Sequence, residues 1–330
     1  MKLEIKRTKM LEEAKECKKN KDLVEEIVTF VGVFIVSLLL ESLILAVPVL
    51  KYLFGSDEMK EITQQYSQHE IEYGEMVSKV TALAANLPAS LTALSLFATV
   101  MITITAVVYC KFIEKRRISS MGFRKNKAVL EYLCGVLVGF VMFSAAVLLC
   151  LVTGAVEYQG FEGNISVGML FVMLLGFIVQ GMSEEVLCRG YFLVSLSRKT
   201  SLAAAVIISS TAFSLLHLFN SGFSVLPFIN ITLFGAFAAV YMLKRGNIWG
   251  VCGIHSIWNF VQGNFYGLSV SGMGKMDTVI RMSPVSEHDV INGGAFGPEG
   301  GLAVTAVCVI GIIIVLLMPT KASEALKEEN

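Results

Sequence analysis

The chain has 330 residues, of which 55% are hydrophobic and only 16% are charged, and its 27 basic residues balance its 27 acidic ones. Soluble domains seldom have this composition, so it argues against a soluble protein and favours one that crosses a membrane several times.

Apolar segments long enough to cross a bilayer recur along the whole chain. A transmembrane helix needs roughly 17–25 mostly apolar residues. By this measure we predict an all-α, polytopic membrane protein with about eight transmembrane helices, at 26–50, 80–110, 128–153, 167–197, 201–219, 224–243, 247–263 and 301–318.

Three regions follow from this order. Residues 1–165 hold the N-terminal tail and the first three predicted helices, and residues 166–263 hold the next four with all the polar motifs described below. Residues 264–330 hold a Gly-rich outer loop, the last predicted helix and a tail. The outer loop 264–300 is interpreted either as a gate over a site or as a solvated connector, and loop 51–79 could be helical.

Basic residues are distributed unevenly between the two sides of the predicted membrane. If the N-terminus is inside, the outer segments carry only five of the 27 basic residues, which are Lys51, Lys60, Lys79, Lys275 and Arg281. This pattern predicts that both termini are cytoplasmic. We interpret the basic N-terminal tail as a topology signal rather than a nucleic-acid arm, and expect no nucleic-acid partner.

Three polar motifs interrupt the apolar segments of the central region. They are Glu184-Glu185-x-x-x-Arg189, Phe213-x-x-x-His217 and His255-x-x-x-Asn259. Residues four apart lie on one helix face, and charge at this depth costs about 2.5–3.5 kcal/mol per Asp, Lys or Arg. The motifs therefore predict one buried site. Glycines near the acidic pair, Gly176, Gly181 and Gly190, favour a close helix approach or a local break there.

The two adjacent acids are expected to play different parts. Glu185 and Arg189 share a helix face and can pair, whereas Glu184 points roughly 100° away and is free to act as a base. An alternative is that both acids belong to one structural ion network. A further intramembrane acid, Glu41, is expected to make an interhelical hydrogen bond.

The candidate catalytic residues are Glu184, His217, His255 and Asn259. A carboxylate beside an imidazole can take a proton from water, and an amide or protonated imidazole can donate to an oxyanion, so the set suits amide hydrolysis. The set Glu184, His217 and His255 could instead hold zinc, although no HExxH sequence is present. The cofactor prediction is accordingly none or zinc.

The three motifs, in this order and each within an apolar segment, resemble the CPBP family of CAAX prenyl endopeptidases and bacteriocin-processing or immunity (Abi) proteins. The resemblance covers about 171–262, and the segment 293–301 is similar to bacterial members more loosely. It implies a multi-pass protein of a bacterial cell membrane that cleaves a peptide or a membrane-anchored protein.

The resemblance also implies roles. Glu184 would activate water together with His217. The oxyanion would be held by His255 and Asn259. The supporting residues would be Glu185, Arg189 and Phe213. Two other functions stay open: a non-enzymatic immunity or regulatory protein, and a proton-coupled transporter.

Overall fold

The structure is a computed structural model that describes residues 8–17, 21–274 and 276–318. The predicted C-terminal tail from 319 onward lies outside the described residues. Within them the chain is mostly helical. The helices are α1 (Lys9–Lys15), α2 (Leu23–Gly55), α3 (Asp57–Ser67), α4 (Tyr73–Ala85), α5 (Ala89–Ile113), α6 (Ala128–Val152), α7 (Val167–Leu196), α8 (Leu202–Leu215), α9 (Val225–Arg245), α10 (Trp249–Phe260), α11 (Asp289–Asn292) and α12 (Leu302–Leu317).

Five helices are long and apolar enough to cross a membrane, so the protein is integral to a membrane, but the predicted count of eight is not confirmed. The five are α2, α5, α6, α7 and α9. Helices α8, α10 and α12 coincide with three further predicted spans but have only 14, 12 and 16 residues. Helix α8 is short because the chain changes to turns just before His217. Helix α10 is short because it changes into a wider, π-helical turn at Val261–Phe265.

The described residues also contain one small sheet, which corrects the strict all-α prediction. Strand β1 (Val156–Phe161) pairs with strand β2 (Ile280–Pro284) in antiparallel register, with Val156 opposite Pro284. Strand β2 belongs to the long Gly-rich outer loop, which is therefore tied to the end of α6 instead of being a plain solvated connector. The other large outer loop, 51–79, is mostly helical and forms α3 and the first half of α4.

Helix α10 packs closely between α6 and α7 because glycines remove side chains at the contacts. A Cβ atom on Gly181 of α7 would lie 2.7 Å from the backbone nitrogen of Ser256, and one on Gly253 of α10 would lie 2.2 Å from the carbonyl oxygen of Tyr132. The predicted local break is present too, as a π-helical turn at Val186–Leu193 within α7. These contacts bring the first and third polar motifs together.

The contact at Gly181 gives a test of this packing. Gly181→Ala should lower the free energy of unfolding by about 1–3 kcal/mol, since a methyl group there meets backbone rather than a movable side chain. Gly168→Ala, on the same helix with nothing within 4 Å, is the matched control and should not destabilise the protein. Unfolding in mixed micelles measures both. Equal stability of the two variants would contradict the close approach.

Candidate active site

A buried ion network joins the first and third motifs. Glu185 Oε1 accepts a hydrogen bond from Arg189 Nη1 at 3.0 Å and one from His255 Nδ1 at 2.9 Å. The side chains of Glu185 and Arg189 are fully buried, and that of His255 is almost so. Because an ionised carboxylate only accepts, Nδ1 of His255 carries a proton, and Nε2 is the nitrogen left to face Glu184.

Arg189 is held by packing as well as by its ion pair. Its guanidinium carbon lies 4.2 Å from the ring centre of Phe213, which is a cation–π contact. Gly235 of α9 leaves room for it, since a Cβ there would lie 3.0 Å from Nη2. Phe213 also contacts both imidazoles, with ring centres 5.0 Å from His217 and 5.9 Å from His255. The Phe213 ring thus contacts the guanidinium and both imidazoles.

Glu184 turns away from this network, as its position on the helix predicts. Its Oε1 accepts a hydrogen bond from Gln180 Nε2 at 2.6 Å, and its Oε2 is 3.6 Å from His255 Nε2 without any hydrogen-bond partner among the described residues. Glu184 and Glu185 therefore have separate environments: Glu185 is fully buried and binds both Arg189 and His255 through Oε1, whereas Glu184 is partly exposed and keeps Oε2 free to accept a proton.

Gln180 was missed by the sequence reasoning. Its Oε1 accepts a hydrogen bond from Asn259 Nδ2 at 2.9 Å while its Nε2 donates to Glu184, so one amide connects two motif residues. The signal was present, because Gln180 is a polar residue in an apolar segment one helical turn before Glu184. An amide can both donate and accept, which fixes the orientation of Glu184 and Asn259 together.

His217 lies just beyond the end of α8 and lines the same cavity as Glu184, His255 and Asn259. Its Nδ1 is 3.0 Å from the carbonyl oxygen of Phe213. A carbonyl only accepts, so this contact places the proton on Nδ1 and leaves Nε2 with its lone pair. The motif Phe213-x-x-x-His217 therefore orients the imidazole through the backbone of its own first residue.

The motif residues open into one cavity of about 290 Å³. Its wall includes all four predicted catalytic residues, Glu184, His217, His255 and Asn259, together with Gln180 and Phe213. Aromatic and aliphatic side chains of Phe177, Phe234, Trp258 and Val304 complete much of it. The Gly-rich outer loop contributes Val270, Ser271, Met273 and Glu299. This loop is thus part of the cavity wall.

The expectation for Glu41 was wrong. Its Oε1 is buried and has no hydrogen-bond partner in the described part of the chain, so the interhelical hydrogen bond is not formed. Glu41 instead lines the same cavity as Glu184, with Leu45 one turn further along α2. The prediction failed because the sequence shows that α2 contains an acid, but it does not show whether the helix turns that acid toward another helix or toward a cavity.

The predicted zinc ligands do not fit a metal site in this arrangement. Among the described residues, no group of three or more His, Cys, Asp or Glu side chains is placed to hold a metal ion, and this includes Glu184, His217 and His255. Nδ1 of each histidine binds an oxygen of the protein, so Nε2 is the ring nitrogen that each leaves for another partner. The cofactor prediction, none or zinc, stays a prediction.

Comparison with known proteins bears on this region. Residues 166–261 match the protein family described as Type II CAAX prenyl endopeptidase Rce1-like. The predicted resemblance to the CAAX protease family is confirmed. The matched segment contains α7 to α10 with all three motifs, and the family is one of membrane proteases. No curated protein and no solved structure matches the chain.

The buried ion network gives a prediction about stability. Arg189→Met should cost about 3–5 kcal/mol of unfolding free energy, because it leaves the Glu185 carboxylate buried with a single partner. Arg117→Met is the matched control, since its ion pair with Glu16 at 3.6 Å is largely exposed, and we expect a loss of at most about 1 kcal/mol. Unfolding in mixed micelles compares them. A similarly small loss of unfolding free energy in both variants would show that the Arg189 ion pair does not stabilise the fold.

Proposed function

We propose that the protein is an intramembrane endopeptidase that hydrolyses a peptide bond with an activated water molecule in the cavity around Glu184. The observation that carries the proposal is the separation of the two acids. Glu185 is fully buried and binds both Arg189 and His255 through Oε1, whereas Glu184 lines the cavity and keeps an unpartnered oxygen 3.6 Å from His255 Nε2. A base with a free oxygen beside an oriented imidazole suits water activation.

The proposed reaction begins with water bound between Glu184 and the substrate carbonyl. Glu184 Oε2 takes a proton as the water oxygen attacks the carbonyl carbon, and the carbonyl oxygen becomes an oxyanion. A protonated His255 donates to that oxyanion through Nε2, with Glu185 stabilising the imidazolium, and Asn259 supplies a second amide hydrogen. The proton held by Glu184 then passes to the leaving nitrogen, assisted by His217, and the C–N bond breaks.

The position of the cavity supports a proposal about the substrate class. A site between apolar helices is reached most directly by a peptide segment anchored in or near the bilayer, so we propose a peptide or a membrane-anchored protein as substrate. The charge distribution along the chain supports a multi-pass arrangement with both termini in the cytoplasm. A bacterial cell membrane is the proposed location.

Glu184→Gln tests the proposed chemistry. The amide cannot accept the proton, so cleavage should fall by about 10²–10⁴-fold or more, while binding of the peptide is retained. The substrate is found by comparing the peptides of membranes that contain the active protein with those that contain the variant. The identified peptide is then assayed with the purified protein. Glu70→Gln, an exposed acid outside the cavity, is the control.

The same experiment separates the other candidate functions. Cells that carry Glu184→Gln could behave like cells that carry the wild-type protein, and the two sets of membrane peptides could be the same. This result would contradict the peptidase proposal and favour a regulatory protein that binds a partner. Uptake of a solute into proteoliposomes in response to a pH gradient, without cleavage, would favour a proton-coupled transporter.

A second measurement concerns metal. Because the donor atoms are not gathered around one point, we expect the purified active protein to hold clearly less than one zinc per chain and to keep its activity after treatment with 1,10-phenanthroline. Elemental analysis and the peptide assay measure these outcomes. Stoichiometric zinc, with activity lost on chelation and restored by zinc, would contradict the metal-independent mechanism.

A further inference from the structure

The cavity around Glu184 is acidic. Three carboxyl groups line it, from Glu41, Glu184 and Glu299, and no Lys or Arg is found among the described residues of its wall. Of the described residues in the wall, only the imidazoles of His217 and His255 can become cationic. The wall thus carries more acid than the proposed reaction requires.

The three acids differ in how they are satisfied. Glu299 Oε2 accepts hydrogen bonds from the backbone nitrogen of Ser271 at 2.7 Å and from its hydroxyl at 2.6 Å. Glu184 accepts one from Gln180 at 2.6 Å. Glu41 has a buried oxygen without any partner in the described structure, and no hydrogen bond to either of the other acids. Of the three acids, Glu41 is therefore the one that accepts no hydrogen bond from the described part of the protein.

An unpartnered carboxylate in an apolar helix is expensive. Burial of a carboxylate oxygen without a partner is unfavourable, and a neighbouring cation offsets that cost. The α2 helix around Glu41 is otherwise apolar, from Phe34 to Leu40 and again from Leu43 to Leu50, apart from Ser37 and Ser42. Glu41 and Glu184 line the same cavity, and each has one buried oxygen without a hydrogen-bond partner among the described residues. A cation bound in this cavity would give both oxygens a partner.

We propose that the cavity binds a substrate with a basic side chain, lysine or arginine, close to the peptide bond that is cleaved, and that Glu41 is the residue that selects it. This inference rests on the proposed peptidase function and names its substrate class. The shape agrees with it, because Leu45, Leu96 and Phe177 offer an apolar wall for the methylene stem while Glu41 faces the charged end. A cavity of about 290 Å³ has room for one such side chain and the adjoining backbone.

The test uses the full-length protein in detergent and a set of synthetic peptides. One lysine is placed at each position in turn, and each peptide is paired with one that has norleucine at the same position. Both kcat/KM and equilibrium binding are measured for the wild type, Glu41→Gln and the exposed control Glu70→Gln. The wild type should prefer lysine at one position by about tenfold or more. Glu41→Gln should bring this ratio close to one, and Glu70→Gln should keep it.

A second variant distinguishes a loss of selectivity from a loss of folding. Glu41→Lys should reverse the preference, so that a peptide with glutamate at the selected position binds better than one with lysine. The inference is overturned if no position favours lysine. It is also overturned if Glu41→Gln keeps the wild-type ratio, which would show that Glu41 holds a proton and not a substrate cation.

The two proposals fail in different ways. If peptides are cleaved without any preference for charge, the peptidase stands and the role of Glu41 is wrong. If no peptide is cleaved but the binding ratio still depends on Glu41, the charge selectivity stands and the proposed reaction is wrong.

Discussion

The arrangement depends on one buried ionic contact, in which the Glu185 carboxylate binds both Arg189 and His255 within an apolar helix bundle. Three ionisable groups at this depth are tolerated because each is paired and because Phe213 covers the guanidinium. The contact joins α7 to α10 and fixes the proton of His255 on Nδ1. Its second consequence is that Glu184, the preceding residue, takes no part in the contact with Arg189 and lines the cavity, where its Oε2 lies 3.6 Å from His255 Nε2.

Much of the site could be predicted from the sequence, since four-residue spacing places Glu185 beside Arg189 and turns Glu184 elsewhere. Spacing within one helix could not show that His255 binds Glu185, because that contact joins residues 70 positions apart and depends on the glycines that let α7 and α10 approach. The glycines predicted a local break beside the acidic pair but not its π-helical form, and the wider turn after Asn259 was not predicted. Gln180 was within reach of the same spacing argument and was overlooked.

The helices followed the apolar segments closely, yet length alone did not decide which of them cross a membrane. Helices α8, α10 and α12 are apolar but short, and two of them end beside the site. Turns and π-helical segments there carry His217 and follow Asn259, so regular helix gives way where functional geometry is needed. The Gly-rich loop was recognisable as unusual, but its pairing with the strand after α6 depends on contacts between distant parts of the chain.

The central claim is that Glu184 faces a water-filled cavity and not the lipid. Its most direct measurement is the reaction of Glu184→Cys with a membrane-impermeant, charged thiol reagent, in a background where the two partly exposed cysteines Cys17 and Cys134 are serine. Leu39→Cys, at a side chain that is 60% exposed on the outside of α2, reports the lipid-facing environment. The account predicts that Cys at 184 is modified in membranes and that Cys at 39 is not, because reaction requires a hydrated thiolate. An unreactive thiol at 184, with a reactive one at 39, would contradict it.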